Sequence, residues 1–250
     1  MQITKYDPGQ FCWVELSTKD GQGAKKFYGD LFGWQYDELP MPDSPPYIMA
    51  KVANGVLGAI FENPQVPTNW LNYINVESVD DSAAKAKSLG ANLMMEPFDV
   101  MDVGRMAVVA DPEGAVFALW QARNHIGASV WAEPGAACWN ELTARNGDAE
   151  RTFYSSLFGW KPKVSPEYTE WHDGDKPRGG FFEMKDARFD GVPAFWNTYF
   201  LVTSVDDSFA KAKSLGATVH HEPTDIPNVG RFAVLGDPQG AGFSIFTPKM

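Results

Sequence analysis

The sequence predicts an α+β protein of two tandem domains, each built from two βαβββ modules. Two observations carry this expectation. The first is an internal repeat: CWVELSTKDGQGAKKFYGDLFGW at 12–34 returns as CWNELTARNGDAERTFYSSLFGW at 138–160, 126 residues later. VDDSAAKAKSLGA from Val79 and DVMDVGRMAVVADPEGAVF from Asp99 return at the same spacing, from Val205 and Asp225. A period this long means two globular copies and not a solenoid of short units. The second is the order of patterns inside each copy, where strand-type alternation and helix-type periodicity run strand–helix–strands twice over. Between Trp34 and Trp70 the copies match poorly, so compensating insertions and deletions lie there. The expected division is domain 1 at 1–124, a linker at 125–135 carrying Gly127, Pro134 and Gly135, and domain 2 at 136–250.

In copy one, residues 11–17 alternate and are rich in strand formers. Asp20 is an N-cap candidate for a helix that places Ala24, Phe27, Tyr28 and Leu31 on one face, and Gly33 ends it. Strands are expected around 47–52, 56–61 and 70–76. Asp80 or Asp81 would cap a second helix through Leu89, with Gly90 as its stop. A strand at 92–96 follows. Residues 105–110 and 115–121 then form a hairpin joined by Asp111-Pro112-Glu113-Gly114, whose Pro and Gly positions fit a type I turn. Copy two repeats each step, with Asn146 as cap and Asp237-Pro238-Gln239-Gly240 as turn.

Of the 250 residues, 44% are hydrophobic and 21% charged, enough apolar surface for packed cores. The net charge of −11 repels phosphate backbones and anionic lipids, so nucleic-acid and membrane partners are not expected. No apolar run reaches the ~18–20 residues that span a bilayer, and no signal peptide is visible. Two cysteines, Cys12 and Cys138, make no disulfide framework, which fits a reducing, cytoplasmic setting. Their equivalent positions read as buried apolar thiols under the helices.

The element order, with FY-x-x-LFGW closing the first helix and DP-x-G before the last strand of each copy, resembles the vicinal oxygen chelate superfamily. Glyoxalase I, bleomycin-resistance proteins and extradiol dioxygenases belong to this group. The resemblance covers nearly the whole chain, twice. It implies two glyoxalase-like domains, each a curved mixed sheet with helices outside and a ligand on the concave face. It also implies an internal pseudo-dimer, sufficient as a monomer or at most a weak homodimer. Enzymes of the family commonly hold a divalent metal on His or Glu from three strands. The positions that match are Trp13, Leu71 and Ala118 in copy one and Trp139, Asn197 and Ser244 in copy two. None carries imidazole or carboxylate, so no metal and no cofactor is expected. The remaining histidines, His125, His172, His220 and His221, are scattered, and adjacent strand residues cannot both enter one site.

Alternation then places the inward residues. If Trp13 faces the cleft, Phe11 and Glu15 share its face, and Cys12, Val14 and Leu16 face the helices. Copy two gives Trp139 and Glu141. The two glutamates are candidate catalytic bases if the site is dry. Their structural alternative is a solvated mouth or pairing with Arg105 and Arg231. Tyr73 and Tyr199, with Trp120 and Phe246, are candidate aromatic walls, or else plain core. Asn197 and Ser244 are candidate polar anchors. Arg105 and Arg231 could hold an anionic group by their bidentate forks, or form surface ion pairs.

Three functions remain open at this level. The first is a metal-independent protein that binds a small molecule, aromatic and neutral or cationic. The second is a lyase- or hydroxylase-like enzyme with Glu15 or Glu141 as base. The third is a degenerate interaction scaffold. The first carries the expectation that Trp13→Ala weakens binding and leaves the fold intact.

Overall fold

A computed structural model describes residues 2–42 and 44–249. Domain 1 runs β1 (Phe11–Thr18), α1 (Gly21–Phe32), β2 (Gln35–Met41), β3 (Ser44–Val52), β4 (Gly55–Glu62), β5 (Asn69–Asn75), α2 (Val79–Ser88), β6 (Asn92–Val100), β7 (Gly104–Ala110) and β8 (Val116–Ala122). Domain 2 repeats it as β9 (Ala137–Ala144), α3 (Gly147–Phe158), β10 (Lys161–Val164), β11 (Thr169–Asp173), β12 (Lys176–Glu183), β13 (Phe195–Leu201), α4 (Val205–Ser214), β14 (Thr218–Ile226), β15 (Gly230–Gly236) and β16 (Gly242–Pro248). Each domain is one eight-stranded sheet, ordered β2-β3-β4-β1-β5-β8-β7-β6 and β10-β11-β12-β9-β13-β16-β15-β14. The first and last strands of a module pair in parallel, and consecutive modules join by the antiparallel pairs β1–β5 and β9–β13. Each sheet is therefore made by neighbouring modules of one copy, not by modules exchanged between copies. No helix among the described residues is long and apolar enough to cross a membrane.

The helix ends follow local chemistry. Asp20 and Asn146 accept from Gly23 N and Ala149 N, and Gly33 and Gly159 close the helices at φ 76°. The second helix departs from expectation. Ser78 and Ser204, in extended conformation, are the caps of α2 and α4, accepting from Asp81 N and Asp207 N. Asp80 and Asp81 lie inside the first turn, where a carboxylate meets the positive end of the helix dipole instead of capping it. The edge strands β2 and β10 are mostly exposed and polar, and their sequences carry no apolar alternation to announce them.

A bulge in β1 between Phe11 and Trp13 changes the predicted facing. The extra residue reverses the alternation, so Phe11 does not share the face of Trp13. Its ring lies 5.0 Å from Trp196 and 5.9 Å from Trp160, on the helix side of domain 2. Cys12 is correspondingly not under the helix: its Sγ lies 3.6 Å from Tyr73 O, in the cluster that contains Trp13. Cys138 is half-buried at the matching bulge in β9. Burial pushes the Cys12 thiol up and that of Cys138 to about 12, which keeps both protonated.

The helices are shared between the domains. Phe27, Tyr28 and Leu31 of α1 pack with Phe200, Phe209 and Phe243 of domain 2, while Phe153, Tyr154 and Leu157 of α3 pack with Ile74, Val79 and Phe117 of domain 1. The two most strongly repeated motifs meet here. Trp70 Nε1 donates to the Tyr28 hydroxyl (2.9 Å), and that hydroxyl donates to Asp237 Oδ2 (3.0 Å) in the turn of the other domain. The mirror chain runs Trp196 to Tyr154 (2.8 Å) to Asp111 Oδ2 (2.8 Å). Trp34 and Trp160 likewise donate to Gly135 O and Gly9 O. At the centre, Thr198 Oγ1 donates to Asn72 Oδ1 at 2.8 Å, joining two residues that occupy equivalent places in the copies. The repeat has become a pseudo-two-fold interface.

One asymmetry stands out. Glu150 of α3 is fully buried and no donor reaches either of its oxygens, whereas copy one has Ala24 there. Burial first, then the adjacent Asp111 carboxyl, pushes Glu150 up to about 9. The neutral form is favoured in the fold, so its stabilising contribution is full below pH 4.5 and is lost as pH rises toward about 9. Glu150→Ala, the residue copy one carries, is expected to flatten stability against pH in that window, as read by denaturant melts at several pH values.

Candidate functional site

The register of three central strands assembles the concave face. In domain 1, Trp13 lies opposite Tyr73, Glu15 opposite Leu71, and Tyr73 beside Ala118. Trp120, Met106 and Val108 complete the face. Glu15 sits between two phenols. Tyr47 donates to its Oε2 at 2.6 Å and Tyr73 bonds it as well, while Trp13 Nε1 donates to the Tyr47 hydroxyl at 3.2 Å. Domain 2 repeats the group. Tyr199 donates to Glu141 Oε1 at 2.9 Å, Tyr168 also bonds Glu141, and Trp139 Nε1 donates to the Tyr168 hydroxyl at 2.9 Å. Burial raises both carboxyls from the usual carboxylate range, and the phenol hydrogen bonds oppose that shift.

Tyr47 and Tyr168 are site residues that alternation along the strands misses. They lie in the segment where the copies match poorly. A signal was nonetheless present: Ser44-Pro45-Pro46-Tyr47 returns as Ser165-Pro166-Glu167-Tyr168 at a spacing of 121. Five fewer residues between the first helix and this tetrapeptide in copy two hide it from a search at constant offset.

The two faces differ in access. In domain 1, Trp13, Glu15, Tyr73 and Trp120 are all buried, Trp13 and Trp120 to 4% and 5% exposure. The His125 ring stands edge-on to Trp13 at 4.8 Å and to Trp120 at 6.1 Å. In domain 2, Trp139, Glu141, Phe232 and Phe246 are half-buried, above a buried floor of Asn197, Tyr199 and Ser244. Asn197 Nδ2 donates to Ser244 Oγ at 2.8 Å, and His221 stacks on Phe232 at 5.2 Å.

Arg105 and Arg231 correct an expectation. Neither reaches the concave face. Arg105 is bidentate to Asp80 (2.8 Å, both bonds) and also bonds Asp99; Arg231 does the same with Asp206 and Asp225. The aspartates in the first turns of α2 and α4 thus hold both forks at the surface. Glu15 and Glu141 bond tyrosines and not these arginines, so the solvated ion-pair alternative does not apply to them.

The positions matched through the resemblance to metal ligands carry a poor donor set. Trp13, Leu71 and Ala118 supply no ligand atom. In domain 2 only two neutral side chains, Asn197 and Ser244, stand there, and they bond each other. Among the described residues no group of three or more His, Cys, Asp or Glu side chains converges. This set does not fit a divalent ion. A pocket of about 260 Å³ lies between the N-terminal arm (Tyr6, Gln10) and Cys138, Trp139, Asn140 and Arg178 of domain 2, and so shares Trp139 with this face.

Comparison with known proteins adds the following. Residues 10–119 match the Glyoxalase/Bleomycin resistance protein/Dioxygenase superfamily, and residues 139–246 match a Glyoxalase-like domain. The chain is 41% identical over 256 residues to "Putative glyoxylase CFP32" of Mycobacterium tuberculosis, covering 98% of this chain and 97% of that one. It is 33% identical to "Anthracycline biosynthesis protein DnrV" of Streptomyces peucetius, covering 97% of this chain and 94% of that one. Among solved structures, a Mn(II)-bound glyoxalase from Novosphingobium aromaticivorans matches with TM-score 0.66 at 15% identity, over 96% of this chain and 82% of that one. A catechol 2,3-dioxygenase matches with TM-score 0.64 at 12% identity, over 98% and 89%. At such identities the structural likeness speaks for the fold alone.

Proposed function

The chain belongs to the glyoxalase/bleomycin resistance protein/dioxygenase superfamily, and from this we propose that it binds a small planar aromatic molecule on the concave face of domain 2, without a metal. One observation carries the reading: the Trp–Tyr–Glu–Tyr group occurs in both domains, but only Trp139 and Glu141 remain half-open while Trp13 and Glu15 are buried. Trp139 and Phe246 offer aromatic contact to a flat ligand. The buried floor of Asn197, Ser244 and Tyr199 supplies hydrogen bonds that orient carbonyl or hydroxyl oxygens. The net charge of −11 favours a neutral or cationic ligand. Relatives named for anthracycline biosynthesis support a polycyclic aromatic with phenol and quinone oxygens. Quinizarin, a dihydroxyanthraquinone, is a suitable probe. It is expected to quench tryptophan fluorescence saturably in the wild type, with the Trp139 share of the quenching gone in Trp139→Phe.

A second reading follows from Glu141 itself. A half-buried carboxyl among aromatic side chains, its pKa raised by burial, is a stronger base than a fully solvated one, which suits proton abstraction in a lyase- or hydroxylase-like reaction. Glu141→Gln separates the readings: probe binding is retained in both, and turnover is lost only if Glu141 moves the proton.

The metal-free part has its own test. Elemental analysis after dialysis is expected to find well below one equivalent of metal per domain, and a chelator to leave the melting temperature unchanged. Stoichiometric zinc, nickel, iron or manganese on this face would overturn that part.

A further inference from the structure

The sealing of domain 1 has a specific agent. His125 lies outside the sheet, beyond β8. Its ring is edge-on to Trp13 (88°) and to Trp120 (74°), the counterparts of Trp139 and Phe246. Among the described residues no hydrogen bond reaches its ring nitrogens, and burial holds the imidazole below its usual pKa, which favours the neutral ring. The backbone around it is pinned. Trp120 Nε1 donates to His125 O (3.0 Å), the amides of Arg123 and His125 both donate to Val103 O (3.1 Å), and Ala128 N donates to Cys12 O (2.7 Å). The imidazole is thus held in an aromatic frame by ring contacts alone, as a bound ligand would be. Among the described residues no ring packs against Trp139 or Phe246 in the same way.

We propose that the chain occupies the cleft of domain 1 with its own His125, and that this cleft is a latent second site for a single neutral heteroaromatic ring. The proposal rests on the reading of the concave faces as binding faces and adds a size limit. The limit is one ring of imidazole size, because the space beside Trp13 and Trp120 is the one the His125 ring takes, and Met106, Val108, Leu71 and Ala118 are buried in the same cluster as those two tryptophans. The charge state of the occupant follows from the same frame. The carboxyl of Glu15 is already engaged by Tyr47 and Tyr73, so no free anion awaits a cation.

The test is cavity complementation. His125→Ala is expected to lower the melting temperature, and imidazole at pH 8 to restore it saturably, with an affinity on the order of millimolar for so small a ligand. Indole resonances of Trp13 and Trp120 should shift with it. His125→Phe keeps a ring in place and should weaken imidazole binding at this site at least about tenfold relative to the alanine variant. Should the alanine variant fail to fold, the wild type still decides. Imidazole competing for the cleft is expected to speed hydrogen exchange at the His125 and Arg123 amides saturably. Restoration that does not saturate, equal binding by the phenylalanine variant, or wild-type exchange indifferent to imidazole would each overturn the proposal. Quinizarin titrated into the same variants reads domain 2 separately, so loss of that signal strikes the functional reading and not this one.

Discussion

Replacing Trp13 by alanine is expected to destabilise the protein by about 3–5 kcal/mol, the usual cost of truncating a buried tryptophan. Trp13 is 4% exposed, packs against His125 and donates to the Tyr47 hydroxyl that holds Glu15. Its removal leaves a cavity and takes one hydrogen bond from the Tyr47 hydroxyl, which keeps its bond to Glu15. Trp139→Ala should do the reverse. Its ring is half-open, so the loss of stability is smaller, and quinizarin binding should weaken by about tenfold or more, which corresponds to ~1.4 kcal/mol. Denaturant melts and fluorescence titrations on both variants measure the contrast. This replaces the expectation from sequence that Trp13→Ala spares the fold.

The second large effect lies at the domain interface. Asp237 Oδ1 accepts from Gln239 N (2.9 Å) and Ala241 N (2.8 Å), and Oδ2 accepts from Tyr28. Asp237→Ala strands all three donors in a buried place. At ~1–3 kcal/mol for each buried donor left unsatisfied, a loss of about 3 kcal/mol or more is expected. Tyr28→Phe removes the inter-domain bond to Asp237 and the bond from Trp70 within domain 1, and should cost about 1–3 kcal/mol. Equal, negligible effects for both would mean that the Trp70–Tyr28–Asp237 chain does not hold the domains together.

The duplicated fold was legible because the repeat preserves whole elements at one spacing. FY-x-x-LFGW and DP-x-G were visible as motifs, but their meeting across the interface was not, since nothing local in a sequence says which copy a turn will touch. Glu15 and Glu141 could be placed by period-two alternation from Trp13 and Trp139, and Tyr73 and Tyr199 by alternation from Leu71 and Asn197, the positions matched through the family resemblance. Phe11 and the cysteines could not, because a bulge of one residue reverses the faces and leaves no mark in composition. Arg105 and Arg231 were misplaced for an electrostatic reason: Asp80 and Asp206 lie far from them in sequence but next to them across the helix–strand packing. In the tighter of the two clefts the ring of His125, a residue outside both repeats, stands against Trp13 and Trp120.

The most direct measurement is a crystal structure of the protein soaked with quinizarin. The expected result is one molecule on the concave face of domain 2, its rings against Trp139 and Phe246, its oxygens within hydrogen-bond reach of the Asn197, Ser244 and Tyr199 floor, no metal bridging it to the protein, and none in domain 1. A molecule seated in domain 1 with His125 in place, one held through a metal ion, or an empty domain 2 face at saturating probe would contradict it.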